Sequence, residues 1–330
     1  MTTSPETETI PFSKPYRLPV DLIEDLKTKN LKFENEHAAN TLLSQISYYH
    51  FKIYLHPLLD LASPGSKIYR NDQFFEFGVD LYRFDEELRA YLFKVIARLE
   101  VKLRSRLDHT LSSYKNDPFW YLDDNLFFKS KVDGYKKIND LRCKIKSDFD
   151  SEHELYAKNF REKYHNLSSA TYSSLPPFWI ASELLTIGTV FKIYDAIDFS
   201  YFKKKKDTTE SMRLDNLALE FGAPKFSVLT NWVRRLRDVR NRCAHHSRLW
   251  NANLATPSEV ANLLQIQPVN DKRLYGTIVV MNQMVKTLGI IDLDLRSSIL
   301  AIISQSPTPS KFLKQAGFPD NWNTDLFWDK

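Results

Sequence analysis

The 330-residue chain holds only two cysteines and eight glycines. Cys143 and Cys243 lie far apart, which excludes a disulfide framework, and Cys143 has no Cys or His beside it at metal-ligand spacing. Cys243 precedes His245 and His246, but that cluster lacks the further ligands of a zinc site, so both cysteines are expected reduced and no metal or cofactor is implied. Few glycines and little period-two alternation argue against a sheet-rich fold. The opening MTTSPETETI lacks the basic and apolar regions of a signal peptide, and no later apolar run is long and charge-free enough to span a bilayer. A cytoplasmic protein without a membrane partner is expected.

What the sequence does contain is Leu, Lys, Glu and Arg at helical spacing, the pattern of an all-α protein. A disordered tail is expected to about residue 15, followed by one domain over 16–330. PVDLIEDLKTKNL and ENEHAANTLLSQISYYHFKIYLHPLL each read as a helix, and ASPGSK as a break. From Asp80 to about Ser112, the residues Leu81, Phe84, Leu88, Leu92, Val95, Leu99, Leu103 and Leu107 recur every three or four positions, predicting a long amphipathic helix. Lysine-rich helices fill Asn125 to Tyr164, and HNLSSATYSSLPP reads as a loop. PFWIASELLTIGTVFKIYDAI, apolar almost all round, reads as a central core helix. Asp271 to Leu288 and Asp294 to Ile303 are expected to close the fold. Tyr48, Tyr49, Phe51 and Tyr54 have helical spacing and are expected to pack in the core, with base stacking the alternative.

The net charge of +5 is small until it is located. Between Asn231 and Trp250 stand Arg234, Arg235, Arg237, Arg240, Arg242 and Arg248 against Asp238 alone, a surplus equal to that of the whole chain. Such a local field attracts a polyanion. Lys203 to Lys206 reads as a solvated loop. A helix at about 228–249, capped by Ser227 or Thr230, would place Trp232, Leu236, Val239, Cys243, His246 and Trp250 on its core face. Arg234, Arg237, Asn241, His245 and Arg248 would form the opposite stripe, with Arg240 at the boundary. His245 is then the outward histidine and His246 a core-edge support. Arg104 and His109 repeat the Arg-to-His spacing of Arg240 and His245, so the spacing alone has little specificity; Asn241 and the arginine cluster set the later copy apart.

RNRCAHHSRLWN resembles the signature of the Abi-like (AbiF/AbiD, abortive infection) proteins of the HEPN superfamily, an Arg commonly followed by Asn with a short spacer to a His. SYYHFKIY, FDEELRAYLFKVIARLEVKLRSRL and LPPFWIASELLTIG resemble further blocks of that family, in the same order. His50 stands where many relatives carry Arg, so no RNA contact is carried over there. The resemblance implies a HEPN-type helical bundle with added N- and C-terminal helices, acting in phage defence as a homodimeric, metal-independent endoribonuclease toxin. It also implies RNA as substrate and a small noncoding RNA as a restraining partner.

The chemistry suits these residues. RNA supplies its own nucleophile, the 2′-OH, so an enzyme needs proton-transfer groups and positive charge at the phosphorus. His245 can move the proton. Arg240 offers a planar fork for phosphate oxygens, and Asn241 lies one turn before His245. Arg234, Arg237 and Arg248 would bind RNA. Glu183, the lone carboxylate of FWIASELLTIGTVF, is expected to pair with Arg240 or a neighbouring arginine. The alternative is a non-catalytic RNA-binding module on the same basic face.

Overall fold

The computed structural model describes residue 13 and residues 15–62, 65, 67–129, 132–164 and 175–329. The expected N-terminal tail and most of the expected loop over His165–Pro177 lie outside them. The described residues form helices and no strand; three isolated bridges join Lys32 to Phe74, Leu59 to Tyr69 and Phe127 to Ile197. None of these helices is long and apolar enough to cross a membrane. Contacts divide the chain into two compact units, residues 1–83 and 84–330.

In the first unit, α1 (Pro19–Thr28), α2 (Glu36–Gln45) and α3 (Tyr48–Leu55) lead to α4 (Phe75–Lys115), whose first turns belong here. The segment from Glu34 that reads as one helix is two, because Ile46 and Ser47 take extended backbone angles. The Asn35 side chain caps α2 at 3.0 Å from the Ala38 nitrogen, and the Ser47 carbonyl accepts the N–H groups of His50 and Phe51 in the first turn of α3. Phe51 and Tyr54 are fully buried, packing against Phe75 at 5.0 Å and Tyr82 at 5.3 Å between ring centroids. Gly78 on α4 lies so close to Leu55 that a Cβ there would collide with it. Tyr49 departs from the expected packing: it is 79% exposed.

In the second unit, α4 continues as a core rod whose Leu88, Leu92, Val95, Leu99, Leu103 and Leu107 are completely buried. It begins five residues before Asp80 and runs past Ser112. Then come α5 (Val132–Ser151), α6 (Leu155–Tyr164), α7 (Phe178–Ala181) and α8 (Ile187–Ala196). The expected single core helix from Pro177 is therefore broken. A 3-10 turn over Ser182–Leu184 follows α7, Leu185 is extended, and Thr186 starts α8 by accepting the Thr189 N–H. A segment apolar on every side gives no helical phase, so one side-chain hydroxyl decides where the helix restarts. Both α5 and α12 pack on α8.

Three short helices, α9 (Phe199–Lys203), α10 (Thr208–Ser211) and α11 (Arg213–Leu219), precede α12 (Phe226–Ala244). Lys203 to Lys206 joins α9 to α10 on the surface, with Lys205 over the Tyr201 ring at 4.3 Å. The residues after Asn251 form α13 (Val260–Leu263), α14 (Leu274–Thr287), α15 (Leu295–Ile303) and α16 (Pro307–Ser310). Tyr275, Phe318, Trp322 and Trp328 make an aromatic cluster beneath α14, with Tyr275 and Phe318 centroids 4.7 Å apart. Buried Asp325 ties that cluster to the chain by accepting the backbone N–H groups of Gln265 and Ile266 at 2.9 and 2.6 Å.

Candidate functional site

Helix α12 carries the Arg/His motif, and its position follows from its apolar face. Phe226, Leu229, Trp232, Val233, Leu236, Val239 and Cys243 are buried, and the Trp232 indole N–H donates to the Ser258 carbonyl at 2.8 Å. The helix starts at Phe226, not behind a Ser227 or Thr230 cap. Asp215 on α11 accepts the Phe226 N–H at 2.9 Å, and the Thr230 hydroxyl donates back to the Phe226 carbonyl. A carboxylate from a neighbouring helix thus does the work expected of a local hydroxyl.

The other end of α12 overturns the expectation for His246. The helix stops at Ala244, and His246 takes a left-handed backbone with φ of 53°. Its N–H donates to the Cys243 carbonyl at 3.1 Å, and the Ser247 N–H donates to the Arg242 carbonyl at 2.8 Å. These are the paired hydrogen bonds of a Schellman C-cap, with histidine where glycine usually stands. The helical wheel therefore ends one turn early. His245 and His246 are both exposed, and His246 is not a core-edge residue.

A buried carboxylate holds the chain beyond this turn. Asp85 on α4 is fully buried, pairs with Arg89 one turn along, and accepts the backbone N–H groups of Leu249 and Trp250, the latter at 2.7 Å. Leu249 and Trp250 are buried behind it. Burial pushes the nearby Cys243 thiol up to about 12, with the Asp85 charge adding to the shift, so this cysteine stays a thiol. Among the described residues no group of three His, Cys, Asp or Glu side chains converges as metal ligands would.

The arginines of α12 divide into held and open ones. Arg234 reaches Asp195 on α8 at 2.9 Å and lies over the Phe191 ring at 5.1 Å. Arg237 lies over the same ring at 4.3 Å and reaches Asp238 at 2.8 Å. Arg235 is buried, and Asp238 stands 3.5 Å from it; burial lowers its affinity for the proton and the Asp238 charge restores part of it. Burial opposes the charge on Asp195, yet Lys137 and Arg234 hold its carboxyl below the usual range. By contrast, neither Arg240 nor Arg242 has a carboxylate partner among the described residues. Arg240 lies over the half-exposed Phe93 ring on α4 at 5.8 Å, and Arg242 donates only to the Arg248 carbonyl at 3.4 Å. Arg248 itself is half-buried.

Asn241, Arg242 and His245 line an open cavity of about 510 Å³ together with Arg235, Asp238 and Ser247. Its far wall is Asn253, Leu254 and Ala255, a stretch whose role the sequence does not announce. Arg240 lies elsewhere. At about 100° per residue it points roughly 140° away from His245, whereas Asn241 and Arg242 lie within roughly 60° of that histidine. Arg242 is the residue that sequence reasoning counted but did not place; its three-residue spacing from His245 was the available signal. Glu183 stands apart from all of these. It is exposed on the 3-10 turn and makes no ion pair among the described residues, so the expected pairing with Arg240 or a neighbouring arginine of the motif helix is wrong. Arg104 serves that turn instead, donating to the Ser182 carbonyl at 3.1 Å while paired with Glu100.

Two measurements test this architecture. Asp85→Ala strips a guanidinium and two backbone N–H groups of their shared buried acceptor. A loss of about 3–5 kcal/mol in urea unfolding is expected; a loss under about 1 kcal/mol would show that the turn stands without the carboxylate. His246→Gly relieves the left-handed backbone and should raise stability by up to about 1 kcal/mol. A lower melting temperature in that variant would restore His246 to the core.

The capped helix end and the buried Asp85–Arg89 pair lie within one family match, and the cavity straddles its C-terminal edge. The description "Abi-like protein" fits residues 41–251, well over half of the chain. That span runs from α2 to the residue after Trp250, taking in α4, α8 and α12. No curated protein and no solved structure matches the chain. The chain belongs to the Abi-like protein family, whose name points to abortive infection in phage defence.

Proposed function

We propose that this protein is a metal-independent endoribonuclease toxin of HEPN type, which cuts RNA as a homodimer during phage defence. The observation that carries the reading is the open cavity at the end of α12, where exposed His245 and Asn241 share one face with the guanidinium of Arg242, which has no carboxylate partner among the described residues. His245 takes the proton of a 2′-OH, the 2′-oxygen attacks the adjacent phosphorus, and the bond to the 5′-oxygen breaks. The products are a 2′,3′-cyclic phosphate and a 5′-hydroxyl, whose proton comes from a second acid. One chain offers one motif histidine at this cavity, and its Arg240 points to another side. Two motifs facing one another would supply both proton-transfer groups and bring Arg240 of one protomer to the phosphate. A small RNA restraining the toxin belongs to the same proposal and rests on the family resemblance alone.

A second reading, a non-catalytic RNA-binding module on this face, has one observation in its favour. The His245 imidazole makes no side-chain hydrogen bond among the described residues, so nothing in a single chain sets its orientation.

Purified protein incubated with total RNA in EDTA distinguishes the two. Wild type should cleave, and His245→Ala should cut at least about a hundredfold more slowly with an unchanged melting curve, since the side chain is exposed. Equal cleavage by the variant would remove His245 from the mechanism, and absence of cleavage by wild type would favour the binding module.

A salt titration of RNA binding tests which arginines meet phosphates. Arg240→Ala and Arg242→Ala should each lower the log–log salt slope by roughly 0.7 on a single strand. Arg234→Ala and Arg237→Ala, which break pairs with Asp195 and Asp238, should alter stability more than slope. An equal change of slope in both sets would show that pairing within the protein does not decide which arginines bind.

A further inference from the structure

Helix α3 of the first unit has two unlike stripes. Phe51, Tyr54 and Leu55 are buried without remainder. On another side, Lys52, Ile53 and His56, the last just past the helix end, stand three, four and seven residues after Tyr49, the spacing of a continuous helix face. All four line a groove of about 950 Å³. Leu22, Leu43, Ile46, Ile53 and Leu59 give it an apolar floor.

Its rim is aromatic and cationic. Tyr16 is 86% exposed and Tyr49 79% exposed, so two ring faces stand open to solvent. The Lys52 ammonium lies 4.4 Å from the Tyr49 centroid, which positions a cation beside a ring without covering its other face. Arg17, Lys29, Lys52 and Lys67 line the groove against a single carboxylate, Asp25. Asp25 is shared by Arg17 at 3.1 Å and by Lys29. Lys52 and Lys67 have no carboxylate partner among the described residues.

Open aromatic faces and cations along one apolar groove are what an unpaired nucleic-acid strand requires: rings for its bases and positive groups for its phosphates. A peptide of acidic character would use the cations and leave the tyrosine faces without a flat partner. A duplex would present phosphates and keep its bases stacked inside. We propose that this groove holds a short single-stranded stretch of RNA, with bases on Tyr16 and Tyr49 and phosphates beside Arg17, Lys52 and Lys67. The inference rests on RNA being the ligand of the proposed function, and it places a contact surface on a unit separate from the one carrying the Arg/His motif.

The test uses the full chain and an unstructured 2′-O-methyl oligoribonucleotide of roughly ten residues, which spans several stacking positions and cannot be cut because its 2′-oxygens carry no proton. Binding is therefore read whether or not the protein is a nuclease. Tyr49→Ala and Tyr16→Ala should each weaken binding about tenfold, with an unchanged melting curve because both rings are exposed. Lys52→Gln should lower the salt slope. A photoreactive thiouridine in the probe should crosslink to peptides containing Tyr16 or Tyr49. Unaltered affinity in both tyrosine variants, crosslinks confined to α12, or a duplex of the same sequence binding as tightly as the single strand would each overturn the groove assignment. Failure of His245-dependent cleavage with groove binding intact would instead remove the nuclease and leave this site standing.

Discussion

The carboxylate of Asp85 is the constraint on which the candidate site depends. A fully buried ion pair is expensive to form, and its value lies in the hydrogen bonds that it completes. Here the pair with Arg89 leaves carboxylate oxygens to accept the N–H groups of Leu249 and Trp250. Those two residues fix where the chain goes after α12 and so compel it to turn at His246. Had the helix continued, the wheel that buries Cys243 would have carried His246 and Trp250 inward with it. The turn instead buries Trp250 through a different path and leaves both histidines in solvent. A left-handed histidine carries a backbone cost of roughly 1–2 kcal/mol, sustained because buried contacts on both sides define the turn.

Charge on α12 is governed by the same competition between protein and solvent. The formal surplus in the sequence counts six arginines, but Asp195 and Asp238 engage three of them, and Phe191 receives two of their guanidinium planes. An arginine already stacked and paired has to give up those contacts to bind a phosphate. Arg240 has only its place over Phe93 to give up, and Arg242 only a long hydrogen bond to the Arg248 carbonyl. The field that a polyanion meets is thus set more by the end of the helix, where Arg242 shares a cavity with His245, than by its middle.

Legibility in the sequence followed the strength of periodicity. The leucine stripe of α4 and the apolar face of α12 were readable because each polar residue between the apolar ones fixes the helical phase. The all-α class followed from the same pattern. The segment from Phe178 to Ala196 had no such contrast, so its break at Leu185 and Thr186 was invisible, and with it the exposed position of Glu183. The break at Ile46 and Ser47 was hidden for the same reason among aromatics. Spacing and company single out His245 and Asn241, which line one cavity. Asp85 was not, because a carboxylate in FDEELRAY looks like any other on a charged helix face until its partners, more than 160 residues away, are known. Tertiary partners likewise decided the start of α12, where Asp215 outranks Ser227.

The two units offer chemically different surfaces, and the difference bears on how an RNA would be chosen. Arg240, Asn241, Arg242 and His245 are suited to ribose and phosphate, which every nucleotide shares. In the proposed nuclease such a set would cut, yet it has little with which to prefer one base over another. Base preference requires groups that meet the bases themselves, and unpaired strands show those to flat rings and hydrogen-bonding rims. The exposed tyrosines of the α3 groove, with Ser44, Gln45 and Ser47 beside them, have that character. In a toxin assembled this way, the phosphate-directed end of α12 would set the rate and the groove would set which strand stays bound long enough to be cut.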